Sequence, residues 1–263
     1  MNRLLASISA VVVALAVFVG CSSAPAAPAQ LTVLAASSLS SSLSDLSAAW
    51  KTTHPNTTLV TSTGATSALR TQIDQGSPAD VLLGADTTNA QALIDEGDGV
   101  GPLTKFATNL LTVIVPASNP KGIQTPADLA KPGVCVIGAG ADVPITKYAT
   151  QLVTNLAARP EYGADFAARY TANVCSMEDN VGAVVNKVSL GEGDAAIVYV
   201  TDARSAANVA TIAVPADSNV LATYGGVAVK ASTSASTAAD FLTWMRGTEA
   251  QAVLAAHGFG AAP

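Results

Sequence analysis

Short β-rich runs alternate with helical periods along nearly the whole chain, and this alternation limits the possible folds more than any other feature. LTVLAAS (31–37), TLVTS (58–62), DVLLGAD (80–86), LLTVIVP (110–116), GVCVIGA (133–139), DAAIVYV (194–200), ATIAVP (210–215) and GGVAVK (225–230) read as strands. Leu39, Leu43, Leu46 and Trp50 recur at helical spacing, Leu69 and Ile73 mark a short helix, and Ala92 to Ile94 sit in another. Further helices are expected over 145–157, 161–169, 180–190 and 235–256. Such alternation predicts an α/β fold whose sheets are mostly parallel and flanked by helices. There are more strands than one compact sheet needs, so two lobes are expected. No Pro/Gly-rich linker separates them, which places strand-like crossovers near 107–113 and 208–216. The first lobe is then discontinuous, 31–109 plus 212–263, and the second is 110–211. No internal repeat is visible.

The amino terminus reads differently. Residues 1–20, MNRLLASISAVVVALAVFVG, have one early Arg, an apolar middle and small residues at the end. The apolar stretch is at the short limit for a membrane span, and the pattern fits a secretory signal better. Val19-Gly20-Cys21 resembles a bacterial lipobox, with Phe18 where Leu is usual. That resemblance implies cleavage before Cys21 and a lipid on its sulfur. Residues 21–30 then form a Ser/Ala/Pro tether. The expected location is the extracytoplasmic face of a bacterial membrane.

Composition narrows the function. Nearly half of the 263 residues are hydrophobic, which excludes wholesale disorder. The net charge of −6 and the absence of a basic cluster exclude an ordinary nucleic-acid binder. Two histidines and three cysteines are too few for a zinc framework. No G-x-S-x-G, H-E-x-x-H or Walker A pattern occurs. With Cys21 assigned to lipid, Cys135 and Cys175 remain. They are either a disulfide or two buried thiols, and export favours the disulfide.

Four strand-to-helix junctions carry small or hydroxyl residues: Ala35 to Leu39, Thr61 to Ser67, Asp142 to Thr146, and Met177 to Gly182. Helix starts present unpaired N–H groups at the positive end of the helix dipole. In α/β folds these junctions lie where ligands bind, and several facing one cleft make an anion site without Arg or Lys. Taken singly, each is as well read as an ordinary helix cap.

The ordered set VLAASSLSSSL, TSTGATSALRTQIDQGSPADVLLGAD, GADVPITKYA and EDNVGAVVNKVSLGEGDAAIVYVTDA resembles the molybdate-binding proteins of bacterial ABC importers. The terminal His257-Gly258-Phe259 is similar to that family's ending. The resemblance implies a monomeric, two-lobed periplasmic binding protein closing around a tetrahedral oxyanion. It assigns the ligand contacts to the hydroxyl and N–H of Ser38, the hydroxyl of Thr66 (or of Ser67 beside it), the N–H groups of Ile145 and Val181, and the hydroxyl of Tyr199. It implies no cofactor beyond the molybdate or tungstate ligand itself. Its partners would be a membrane permease and a cytoplasmic ATPase.

The chemistry of these positions agrees. Neutral hydroxyls and amides stabilise a buried dianion without leaving a buried cation in the empty site. None of the five is acidic, which suits a fully ionised oxyanion. Asp142 and Asp179 stand nearby and are read as helix caps; Asp80 caps or positions the strand it opens. Trp50 and Trp244 read as core, His54 as exposed, and His257 as a loop residue without a ligand role. A sulfate or thiosulfate receptor, a lipoprotein enzyme acting on a small anion, and a ligand-free surface lipoprotein are the alternatives.

Overall fold

The computed structural model describes residues 29–263; the signal-like segment and Cys21 lie outside them. The chain runs β1 (Ala29–Ala36), α1 (Ser40–Thr53), β2 (Thr57–Gly64), α2 (Thr66–Asp74), β3 (Val81–Gly84), α3 (Thr88–Glu96), β4 (Gly99–Asn109) and β5 (Leu111–Pro116). It continues through β6 (Val136–Ala139), α4 (Pro144–Ala157), α5 (Phe166–Ala172), β7 (Val174–Glu178), α6 (Val181–Ser189), β8 (Ala196–Tyr199) and α7 (Val200–Ser205). It ends with β9 (Val209–Ile212), β10 (Ala222–Val229), α8 (Ala235–Trp244) and α9 (Thr248–Ala256).

The first sheet has the order β2-β1-β3-β10-β4. Its two faces follow from the period-two alternation of its strands. Leu31, Val33 and Ala35 of β1 join Val81 and Leu83 of β3 in a cluster with Trp50 of α1 and Phe241 of α8. Leu34 and Leu82 point the other way, to Leu69 and Ile73 of α2 and Leu93 of α3. The second sheet has β5 between β8 and β9. The β6-β7 pair adjoins it through a bridge from Val136 to Ala195. The chain passes from the first sheet to the second between Asn109 and Leu111, and returns between Ile212 and Ala222.

Strand directions are more mixed than alternation alone predicts. β1 is parallel to β2 and β3, and β6 to β7, but β10 is antiparallel to β3 and β4, and β5 to β8 and β9. The antiparallel strands are those entered from the other sheet, where no helical crossover imposes parallel direction.

Several elements differ from expectation for local reasons. β4 lies outside the runs read as strands: Gly99, Gly101 and Pro102 weaken its local strand pattern, yet Pro is tolerated on a sheet edge, and β4 is an edge strand. The helix expected over 235–256 breaks at Gly247, whose extended backbone opens α9. The one expected over 161–169 is a turn at Pro160–Tyr162 followed by α5, separated by Gly163 at φ 78°. α3 stops at Gly97, whose φ of 87° is the left-handed cap that glycine adopts without a Cβ clash.

Trp50 and Trp244 are core, as expected. His54 is not exposed. Its ring stacks on Trp50 (centroids 3.4 Å apart) and meets Asp240 of α8 at 3.1 Å, because α8 packs beside the end of α1. His257 meets Asp45 of α1 at 2.9 Å. The Asp80 carboxylate accepts from the Thr32 N–H and the Ser232 hydroxyl, and so ties β3 to β1. Cys135, immediately before β6, is bridged to Cys175 on the neighbouring β7.

Candidate functional site

Ser38 lies in the 3-10 turn Ser37–Leu39 that follows β1. Its Oγ is 2.8 Å from the Tyr224 hydroxyl. Thr66 is the first residue of α2, and its Oγ1 accepts from the Ala85 N–H at 3.1 Å. That approach depends on Gly84: a Cβ there would come within 2.8 Å of Thr66 Cγ2. With its oxygen engaged by a donor, the Thr66 hydroxyl is free to donate.

Ile145 and Val181 belong to the first turns of α4 and α6. α4 opens with Pro144, whose fixed φ suits a helix start, and no side chain caps it. α6 is capped by Asn180, which accepts from Ala183 N–H at 3.0 Å. That cap leaves the Val181 N–H among the unpaired donors of the first turn.

Tyr199 ends β8. The residue is 1% exposed, and among the described residues no hydrogen-bond partner meets its hydroxyl. Burial, with Tyr224, Tyr148 and nearby carboxylates adding to it, pushes this phenol well above its ordinary value, so it remains a donor.

Ser38, Thr66, Ile145, Val181 and Tyr199 are all buried and line one small cavity with Ala36, Ala65 and Pro144. Ser38 and Thr66 come from elements of the first sheet, the other three from elements of the second. No Arg or Lys is among the lining residues. Ser67 instead lines a neighbouring groove with Arg70, Asp142 and Lys147. Asp142 and Asp179 are exposed, and the residues at the cap positions are Val143 and Asn180; the expectation that the two aspartates cap these helices is corrected. Each aspartate stands one residue before the cap position, outside the first helical turn.

Three buried residues near the cavity were not anticipated. Tyr224 stands one residue before the run read as a strand, and Asn109 ends the unforeseen β4. Asp202 was visible inside IVYVTDA, where an acidic residue three places into a helix is a recognisable signal. Neither histidine lines the cavity.

Two helix-flanked sheets joined by two crossovers, with hydroxyl residues and helix starts from both around one small cavity, define a two-lobed solute-binding protein. The chain belongs to the bacterial extracellular solute-binding protein family, whose sequence profile matches residues 31–260. It is 32% identical over 242 residues to the molybdate-binding protein ModA of Mycobacterium tuberculosis, covering 90% of this chain and 88% of the relative. It is 29% identical to ModA of Haemophilus influenzae, covering 90% and 92%. Among solved structures, the periplasmic molybdate-binding protein of Azotobacter vinelandii superposes with a TM-score of 0.72 at 20% identity, covering 89% of this chain and all of that one. The sulfate-binding protein SubI of M. tuberculosis gives 0.74 at 21% identity, covering 88% and 86%.

The Tyr199 hydroxyl gives a first test of the site. Tyr199→Phe removes a buried, unsatisfied donor, so the ligand-free protein should gain about 1 kcal/mol in urea unfolding while anion affinity falls. A variant that loses stability would mean that the hydroxyl already has a partner.

Proposed function

We propose that this protein captures molybdate, and tungstate with it, at the extracytoplasmic face of the membrane and delivers it to an ABC permease driven by a cytoplasmic ATPase. The reading rests above all on the buried Tyr199 hydroxyl, which has no partner among the described residues and belongs to a residue lining the same cavity as Ser38, Thr66 and two helix starts. Donors without a formal positive charge suit a fully ionised oxyanion, and the names of the relatives point to molybdate. The lobes, 31–109 with 212–263 and 110–211, would close on the anion, because only then do donors from both converge. Tethering through a lipidated Cys21 completes the reading. Binding, not catalysis, is the role of every residue in the cavity.

Calorimetry on residues 29–263 with molybdate, tungstate, sulfate and phosphate tests it. The expected result is one-to-one heat with molybdate and tungstate alone. A response to sulfate only would replace the ligand, and silence from all four would overturn the receptor reading. Ser38→Ala should cost about 1.5–3 kcal/mol of molybdate affinity, the worth of a hydrogen bond to a charged group. Unchanged affinity would displace Ser38 from the site.

A further inference from the structure

A chain of buried hydrogen bonds runs behind the cavity, and its donor directions can be read from chemistry alone. The Asn109 side chain is oriented by the Leu110 N–H, which donates to Oδ1 at 3.0 Å and so identifies the oxygen. The other end is then the amino group, which can only donate. It donates to Thr201 Oγ1 at 2.8 Å and to the Tyr224 hydroxyl at 3.3 Å. The Tyr224 oxygen is thus an acceptor on the Asn109 side. Its own proton has one remaining partner, Ser38 Oγ at 2.8 Å.

The reverse orientation, with Ser38 donating to Tyr224, would leave the phenolic proton buried and unpaired at a residue with no exposed surface. Tyr224 is also the stronger acid of the two hydroxyls, and so the better donor. Burial, with the Asp202 carboxylate nearby, holds it protonated well above the ordinary tyrosine value. Its ring is held by Phe106 and Phe259, with centroids 6.0 and 5.4 Å away, which leaves the hydroxyl little freedom to turn.

We infer that Asn109 and Tyr224 are positioning residues: they form a directional relay that satisfies the Ser38 oxygen from behind and thereby commits the Ser38 proton to the cavity. The inference rests on Ser38 being an anion ligand, as proposed above. Thr66 is committed in the same way by the Ala85 N–H. Both lobe-one hydroxyls then have their protons free to donate into the cavity, with one of the two lone pairs of each oxygen already used from behind. The relay starts at Asn109, where the chain leaves the first sheet, and the same amide also holds Thr201 of α7. Ser38 is therefore aligned by the segment that connects the sheets.

The test is a double-mutant cycle on the full chain, titrated with molybdate. Tyr224→Phe should weaken binding about fivefold to tenfold, the worth of one buried hydrogen bond. In the Ser38→Ala background the same substitution should produce no further loss. Equal loss in both backgrounds would mean that Tyr224 acts through packing, and no loss in the parent would mean that no relay operates; either overturns the inference. A ligand-independent measurement separates this from failure of the receptor reading. In proton NMR of the ligand-free protein, the Tyr224 hydroxyl proton should exchange slowly, and Asn109→Asp should shift it strongly, because a carboxylate accepts where the amide donated. A slow proton that responds in this way, in a protein that ignores molybdate, leaves the relay standing and removes the proposed ligand. A rapidly exchanging proton removes the relay whatever the ligand.

Discussion

Asp202→Asn is expected to stabilise the protein at pH 8 by up to about 4 kcal/mol, and to flatten its stability between pH 4 and 7. Asp202 is 7% exposed in the first turn of α7, and its carboxylate accepts from the Tyr199 N–H at 3.2 Å. No cation pairs with it among the described residues. Burial raises its pKa to about 7, against the smaller downward pull of that hydrogen bond. In the unfolded chain it titrates near the ordinary aspartate value of about 3.9. The native state therefore binds more protons than the unfolded state between these values. Its contribution is fully present below pH ~4, declines as pH rises, and is lost above about 7. Asparagine keeps an oxygen for the Tyr199 N–H and removes the charge. Urea unfolding of parent and variant across pH 4 to 8 measures the effect. Parallel curves would show that Asp202 is solvated in the native state.

The location of Asp202 has a consequence for the site. It holds the backbone N–H of Tyr199, a residue that lines the cavity. A neutral acid there keeps negative charge away from the position where a dianion would sit. An ionised one would oppose the anion at a distance where little water intervenes to screen it. The same residue that costs stability at high pH is thus best tolerated in its protonated form.

What the sequence disclosed, and what it hid, divides along physical lines. α4 was legible because its apolar residues repeat at helical spacing, and β1, β2 and β5 because short β-branched and apolar runs stand there between helical or turn segments. β4 was hidden because it is recognised by its partner: β10 supplies its hydrogen bonds, while Gly99, Gly101 and Pro102 weaken its local strand pattern. The placement of β10 between β3 and β4, antiparallel to both, is likewise a tertiary fact, since nothing within LATYGGVAVK states a direction. The five candidate ligand positions could be named only through the ordered set of motifs and the family it resembles; taken singly, each helix start reads as well as an ordinary cap, and Tyr199 as a buried strand residue. Whether Thr66 or Ser67 faces the cavity could not be read, because it depends on the bare Cα of Gly84 one strand away. Tyr224 and Asn109 escaped notice for a related reason. Their role lies in hydrogen bonds between residues 115 and 186 positions apart, and no local pattern encodes such pairs.

The second large effect is expected from the Cys135–Cys175 bridge. It closes a loop spanning 40 positions that contains α4 and α5. In the chain-entropy picture a loop of that length restricts the unfolded state by roughly 4 kcal/mol. The native side gives no compensation when the bridge is lost, because β7 is an edge strand paired only with β6 and half open to solvent. Replacing both cysteines by alanine should therefore lower stability by about 3–4 kcal/mol, and the melting temperature by roughly 6–16 °C. Anion affinity well below the melting transition should not change. The loop before α4 is held to the end of β7 by the Gly140 N–H, which donates to the Glu178 carbonyl at 2.9 Å, and α6 begins three residues later with its own Asn180 cap. These bonds position the Ile145 and Val181 amides without help from the bridge. Calorimetric melting and molybdate titration of the double variant separate the two roles. Lost affinity at full folding would show that the bridge positions the helix starts, and a stability change under about 1 kcal/mol would show that the reduced, unfolded chain is already restricted around β6 and β7.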